Sequence, residues 1–63
     1  MNQNQVKEAR VKAGYTVRGL AEKIGVNPNT ITSIELGRKI PRADTLRKIA
    51  EACSCTMDEL WPK

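Results

Sequence analysis

The sequence has no histidine and only two cysteines, Cys53 and Cys55. Without histidine, the side chain most often used as a general base or metal ligand is missing. Two cysteines separated by one residue do not match the spacing of a structural zinc site, and they cannot close an unstrained disulfide within regular structure. No nucleophile has an evident base, so an enzyme is not expected, and nothing calls for a cofactor or a metal. No apolar run approaches the roughly 20 residues that span a bilayer, so no membrane association is expected. The polar start, Met1-Asn2-Gln3-Asn4-Gln5, does not read as a signal peptide. Free thiols suit a reducing compartment, and the expected location is cytoplasmic. Repeats, low-complexity tracts and long linkers are also lacking.

What is present is a short basic chain. Its 63 residues are expected to form one domain over 1–63, with a hydrophobic fraction of 40% supplying a core. A domain of this size buries roughly 60% of the surface its unfolded chain exposes, which leaves little room for an enzyme pocket of ordinary volume. The net charge is +4, unevenly spread: residues 1–48 carry ten Lys/Arg against four Asp/Glu (+6), and residues 49–63 carry one against three (−2). A basic body favours a polyanionic partner; the alternative is a solvated surface that serves only solubility.

Turn signals at Gly14, Gly25, Gly37 to Pro41, and Ser54 divide the chain into five pieces with helical rather than alternating spacing. The first is expected from about Asn4 to Ala13, with Val6, Ala9, Arg10 and Ala13 on one face and Gly14 as a left-handed cap. The second follows Thr16 as N-cap, runs to Lys23, and turns Leu20, Ala21 and Ile24 inward. The third opens on Asn27-Pro28, a preferred N-cap followed by the preferred first helical residue. It ends near Glu35 or Leu36 before Gly37, with Ile31 and Ile34 inward. The fourth spans about Ala43 to Cys53, with Leu46, Ile49, Ala50 and Cys53 buried. The fifth runs from Thr56 to about Trp61, where Thr56 and Glu59 fit a capping box and Pro62 stops the helix.

The second and third pieces are joined by Gly25-Val26, too short for antiparallel packing and suited to a steep crossing. Ala21 is small where the helices approach, and Gly25 tolerates positive φ at the turn. Leu20-Ala21, Ile24-Gly25-Val26, Ile31 and Ile34-Glu35 resemble the helix-turn-helix of the phage repressor and Cro (XRE-like) family, over about Val17 to Leu36. The resemblance extends to Val6, Arg10, Gly37, Pro41, Leu46, Ile49-Ala50 and Asp58-Glu59-Leu60, covering roughly residues 6–61. It implies an all-α, five-helix, lambda-repressor-like fold whose third helix enters the major groove of double-stranded DNA.

With Ile31 and Ile34 inward, Pro28, Asn29, Thr32 and Ser33 form the outward face. Asn29 has the chemistry for a bidentate contact with adenine, Thr32 a hydroxyl and a methyl, Ser33 a hydroxyl, and Pro28 an apolar surface. The alternative is a solvated helix face. Expected phosphate or minor-groove residues are Thr16, Val17 and Arg18 at the second helix start, Asn27, and the loop residues Arg38, Lys39 and Arg42; ordinary solvated charge is the other reading of that loop. The resemblance implies a minor-groove position for Arg42, where arginine suits a narrow negative groove. Two departures stand out. Many relatives have Gln where this chain has Val17, which leaves only the backbone amide for a phosphate. Relatives commonly have Ser or Asp where this chain has Arg42, which costs a helix cap and leaves Asp44 to offset the dipole.

Arg10 and Glu35 match a pair that forms a partly buried salt bridge in the family, so a structural role is expected of them. Cys53 and Cys55 read as small core hydrophobes or, alternatively, as a redox switch. Trp61 is a lid on the core or part of a dimer surface with Met57 and Leu60. The resulting expectation is a transcriptional regulator that binds a pseudo-palindromic operator as a homodimer, with no small-molecule ligand. The rival is a protein-interaction module or antitoxin-like partner that uses the same fold.

Overall fold

A computed structural model describes residues 4–61. Among them are five helices and no strand: α1 (Val6–Lys12), α2 (Val17–Ile24), α3 (Pro28–Glu35), α4 (Ala43–Ala52) and α5 (Met57–Leu60). Pro62, expected to stop the last helix, lies outside the described residues.

Local chemistry sets most of the boundaries. The Thr16 hydroxyl accepts from the Gly19 amide at 2.9 Å and starts α2. The Asn27 side chain accepts from the Asn29 amide at 2.8 Å, with Pro28 in the first helical position of α3. Both satisfy amides that have no partner within their helix. The α5 capping box is complete: the Glu59 amide donates to Thr56 Oγ1 at 3.1 Å, and Glu59 Oε1 accepts from the Thr56 amide at 3.3 Å. Arg42 provides no side-chain cap for α4; Asp44 Oδ1 accepts from the Thr45 amide at 2.9 Å instead. Gly25 closes α2 with φ +79°, a left-handed conformation that costs a residue with a Cβ about 1–2 kcal/mol.

The core is one cluster drawn from every helix: Val6 from α1, Leu20, Ala21 and Ile24 from α2, Ile31 and Ile34 from α3, Ile49 and Ala50 from α4 with Cys53 at its end, and Leu60 from α5. α2 lies at the centre, packed mainly on α3 and α4. Its Leu20 and Ala21 are fully buried where the neighbouring helices converge. Tyr15, Val17, Val26, Leu46, Met57 and Trp61 flank this cluster half-buried.

Three expectations are corrected. Ala13 is exposed: it is the C-cap of α1, still helical in its backbone and donating its amide to the Ala9 carbonyl, but no other element covers it there. Leu46 is only half-buried, because the inward stripe of α4 centres on Ile49 and Ala50. Leu60, expected on a dimer surface, has 0% exposure. The Gln5 amide donates to the Leu60 carbonyl at 2.8 Å. That bond ties the end of α5 to the start of α1 and places Leu60 beneath both.

Candidate nucleic-acid interface

α3 presents Asn29 and Thr32 to solvent, with Pro28 and Ser33 half-buried beside them. Ile31, Ile34 and Glu35 occupy its opposite, buried face. Thr32 Oγ1 leans back on the Pro28 carbonyl at 3.4 Å. The Asn29 amide is held by its cap, and the Thr30 amide by the Asn27 carbonyl at 2.9 Å. Since Pro28 has no amide hydrogen, the first turn of α3 offers a partner side chains rather than bare backbone donors.

The start of α2 is built differently. Thr16 takes the Gly19 amide on its hydroxyl and the Leu20 amide on its carbonyl, at 2.9 Å each. The Val17 and Arg18 amides stand in the first turn without an intrahelical acceptor, the usual donors to an anion at a helix N-terminus. Val17 itself is half-buried against the core, whereas Thr16, Arg18 and Asn27 are exposed. After α3, Gly37 turns at φ +77° into a loop on which Arg38, Lys39 and Arg42 are all exposed. No acidic residue lies between Leu36 and Ala43.

Arg10 connects the parts of this surface. Its Nε donates to Glu35 Oε2 at 2.6 Å, and its Nη2 to Glu35 Oε1 at 3.5 Å. Its Nη1 donates to the Tyr15 carbonyl at 2.9 Å. One guanidinium therefore holds the residue before the α2 cap against the last residue of α3. Both charged residues are buried, at 9% and 6% exposure, so Arg10 is not available to an external partner. A second tie, with no local signal in the sequence, comes from Asn4. It is buried, accepts the Val6 amide on Oδ1 at 3.0 Å, and donates from Nδ2 to the Ile34 carbonyl at 2.9 Å. Ile40 was also missed. It sits in the basic loop with 81% of its surface exposed, and an aliphatic residue among Arg38, Lys39 and Arg42 was the available signal.

Cys53 lies in the core, and Cys55 is half-buried beside it. Burial, with the neighbouring Cys55 adding to it, pushes the Cys53 thiol above its ordinary pKa. Burial and then Glu59 push Cys55 upward. Both shifts disfavour the thiolate, the reactive form of cysteine, and support the reading of small apolar side chains. Among the described residues, no group of three or more Cys, Asp or Glu is placed to hold a metal ion, and no helix is long and apolar enough to cross a membrane.

The geometry is that of two helices packed together across a short turn, the second with an exposed polar face and followed by a basic loop. A profile of the helix-turn-helix family matches residues 6–60. This chain belongs to the XRE-type helix-turn-helix family. Among its helix-turn-helix relatives, the transcriptional regulator ImmR of Bacillus subtilis is 37% identical over 94% of this chain. The chain spans only 46% of ImmR's length. An uncharacterized regulator of the same family and organism, YgzD, is 36% identical over 92% of this chain and 88% of its own length. The crystal structure of a candidate DNA-binding protein from Bacteroides fragilis shares the fold with a TM-score of 0.83 and 32% identity. The match covers 95% of this chain and 97% of that one. The helix-turn-helix family to which the chain belongs is thus one of DNA-binding transcriptional regulators.

Proposed function

We propose that this protein regulates transcription, without catalysing a reaction, by binding double-stranded DNA sequence-specifically as a homodimer, with α3 in the major groove of each half-site. The observation that carries this reading is the composition of one surface. Asn29 and Thr32 of α3, Thr16 and Arg18 at the start of α2, and the cations of the loop after α3 are all exposed, and α2 packs directly on α3. In this reading Asn29, Thr32, Ser33 and Pro28 face base edges. Thr16, Arg18, Arg38 and Lys39, with the Val17 amide, face phosphates, Asn27 lies beside them, and Arg42 faces the minor groove. The protomers meet through the α5 end, where Met57 and Trp61 retain partial exposure while Leu60 supports them from within. No further ligand is required, and the protein works in the cytoplasm, where its target DNA is accessible.

Selection of bound sequences from a random duplex pool, followed by salt titration of two variants, tests the assignment. Selection is expected to return two related half-sites in inverted orientation. Asn29→Ala should lose roughly 1–3 kcal/mol of discrimination at one base pair. Lys39→Ala should weaken all sequences alike and lower the salt slope by about one phosphate's worth. Recovery of no preferred sequence, or identical behaviour of the two variants, overturns the assignment.

A further inference from the structure

Ile40 is 81% exposed, more than the other exposed large aliphatics, Val11 at 58% and Leu36 at 55%. It directly follows Arg38-Lys39 and directly precedes Pro41-Arg42. A residue before proline is confined to extended backbone, and isoleucine is stiff at χ1, so this apolar side chain projects from the loop with little conformational freedom to lose. Pro41, which follows it, is half-buried.

We propose that Ile40 is a DNA-contacting residue. It packs on the deoxyribose faces beside the phosphates gripped by Arg38 and Lys39, and it positions α3 without reading a base. This rests on the DNA-binding reading above. The occupant is argued from charge. With three exposed cations and no acidic residue between Leu36 and Ala43, the loop would repel the same loop of a second copy. It suits a polyanion whose backbone alternates phosphate with apolar sugar surface. A second copy could offer its acidic end instead, but Glu59 there is committed to the α5 capping box, and residues 49–63 carry a net charge of only −2, against one charge for every phosphate of a duplex.

The test is titration of a mixed-sequence duplex with the full chain, Ile40→Ser, Ile40→Leu and Arg38→Ala across a salt series. Sedimentation of the free proteins accompanies it. An apolar contact releases no counterion, so Ile40→Ser should weaken binding about five- to tenfold at every salt concentration with an unchanged slope. Ile40→Leu should restore most of the affinity, and Arg38→Ala should flatten the slope. A side chain this exposed can be replaced without unfolding the protein, and unchanged circular dichroism is the control. Wild-type affinity for Ile40→Ser overturns the inference, as does weakened self-association of the free variant, which would make Ile40 a contact between copies. Absence of salt-dependent binding by the wild-type chain would overturn the DNA-binding reading itself, and this inference with it.

Discussion

Arg10 uses three of its five donor hydrogens on two partners, the Glu35 carboxylate and the Tyr15 carbonyl. A buried ion pair is weak evidence for stability, since desolvating both charges offsets most of their attraction. Its effect here is geometric, fixing the distance between the start of α2 and the end of α3. Removing one partner is another matter. Glu35→Ala leaves a buried, unpaired guanidinium at a cost of about 3–5 kcal/mol. A single small core supplies a total stability of about the same size. Glu35→Ala is therefore expected to be largely unfolded at 25 °C by far-ultraviolet circular dichroism. The double variant Arg10→Met, Glu35→Leu, which strands no charge, should refold. A Glu35→Ala variant with wild-type urea resistance would show that the pair does not hold these elements together. The sequence pointed to this pair through its resemblance to the family and not through local chemistry. Asn4, which bonds to the Ile34 carbonyl 30 residues away, gave no such pointer.

At the scale of elements, most of the fold was legible because short helices are governed by their ends. Thr16, Asn27-Pro28 and the Thr56/Glu59 box each satisfy first-turn amides, a requirement visible in the residue types alone. Inward stripes were legible in the helices that pack centrally, as with Leu20, Ala21 and Ile24, whereas in α4 the spacing did not show that Leu46 is only half-buried. Two further misreadings fall at helix ends. Ala13 has the right spacing but caps α1 where nothing packs over it, and Leu60 belongs to the core, with α5 returning to the residue before α1, whose Gln5 amide donates to the Leu60 carbonyl. The candidate interface was legible as a list of exposed polar and basic residues. Ile40 was not, because an aliphatic side chain is ordinarily assigned to a core. Gly25 isolates the contribution of the turn. A Cβ built there meets nothing within 4 Å, so Gly25→Ala adds no clash and pays only for φ +79°. The expected loss is about 1–2 kcal/mol, measured by urea denaturation, with Gly25→Asn losing less because asparagine tolerates this region better. A neutral Gly25→Ala would mean that the α2–α3 turn relaxes to another conformation. Under the proposed DNA-binding reading, which rests on α2 and α3, DNA affinity would then be expected to fall instead.

The described part of the molecule measures 27 × 22 × 20 Å. Successive major-groove faces on one side of a duplex are about 34–36 Å apart, so one protomer cannot place a helix in two of them. A single module also buries only about 600–1,000 Å² on DNA, and in the proposed reading α3 brings few side chains to base edges. Two copies address both limits, provided that their α3 helices are held about one helical turn apart. This makes the spacing of half-sites a test of the assembly independent of any one residue. A duplex with two selected half-sites at the preferred spacing should bind two protomers cooperatively. Inserting about five base pairs, half a turn, places the second half-site on the opposite face and should abolish cooperativity. About ten inserted base pairs restore the face but stretch the separation beyond what a rigid α5-to-α5 contact can span, so cooperativity should not return. Electrophoretic mobility shifts across such an insertion series would count bound protomers directly. Equal affinity at all spacings would mean that each protomer binds alone, and the partial exposure of Met57 and Trp61 would then reflect only the edge of a small core.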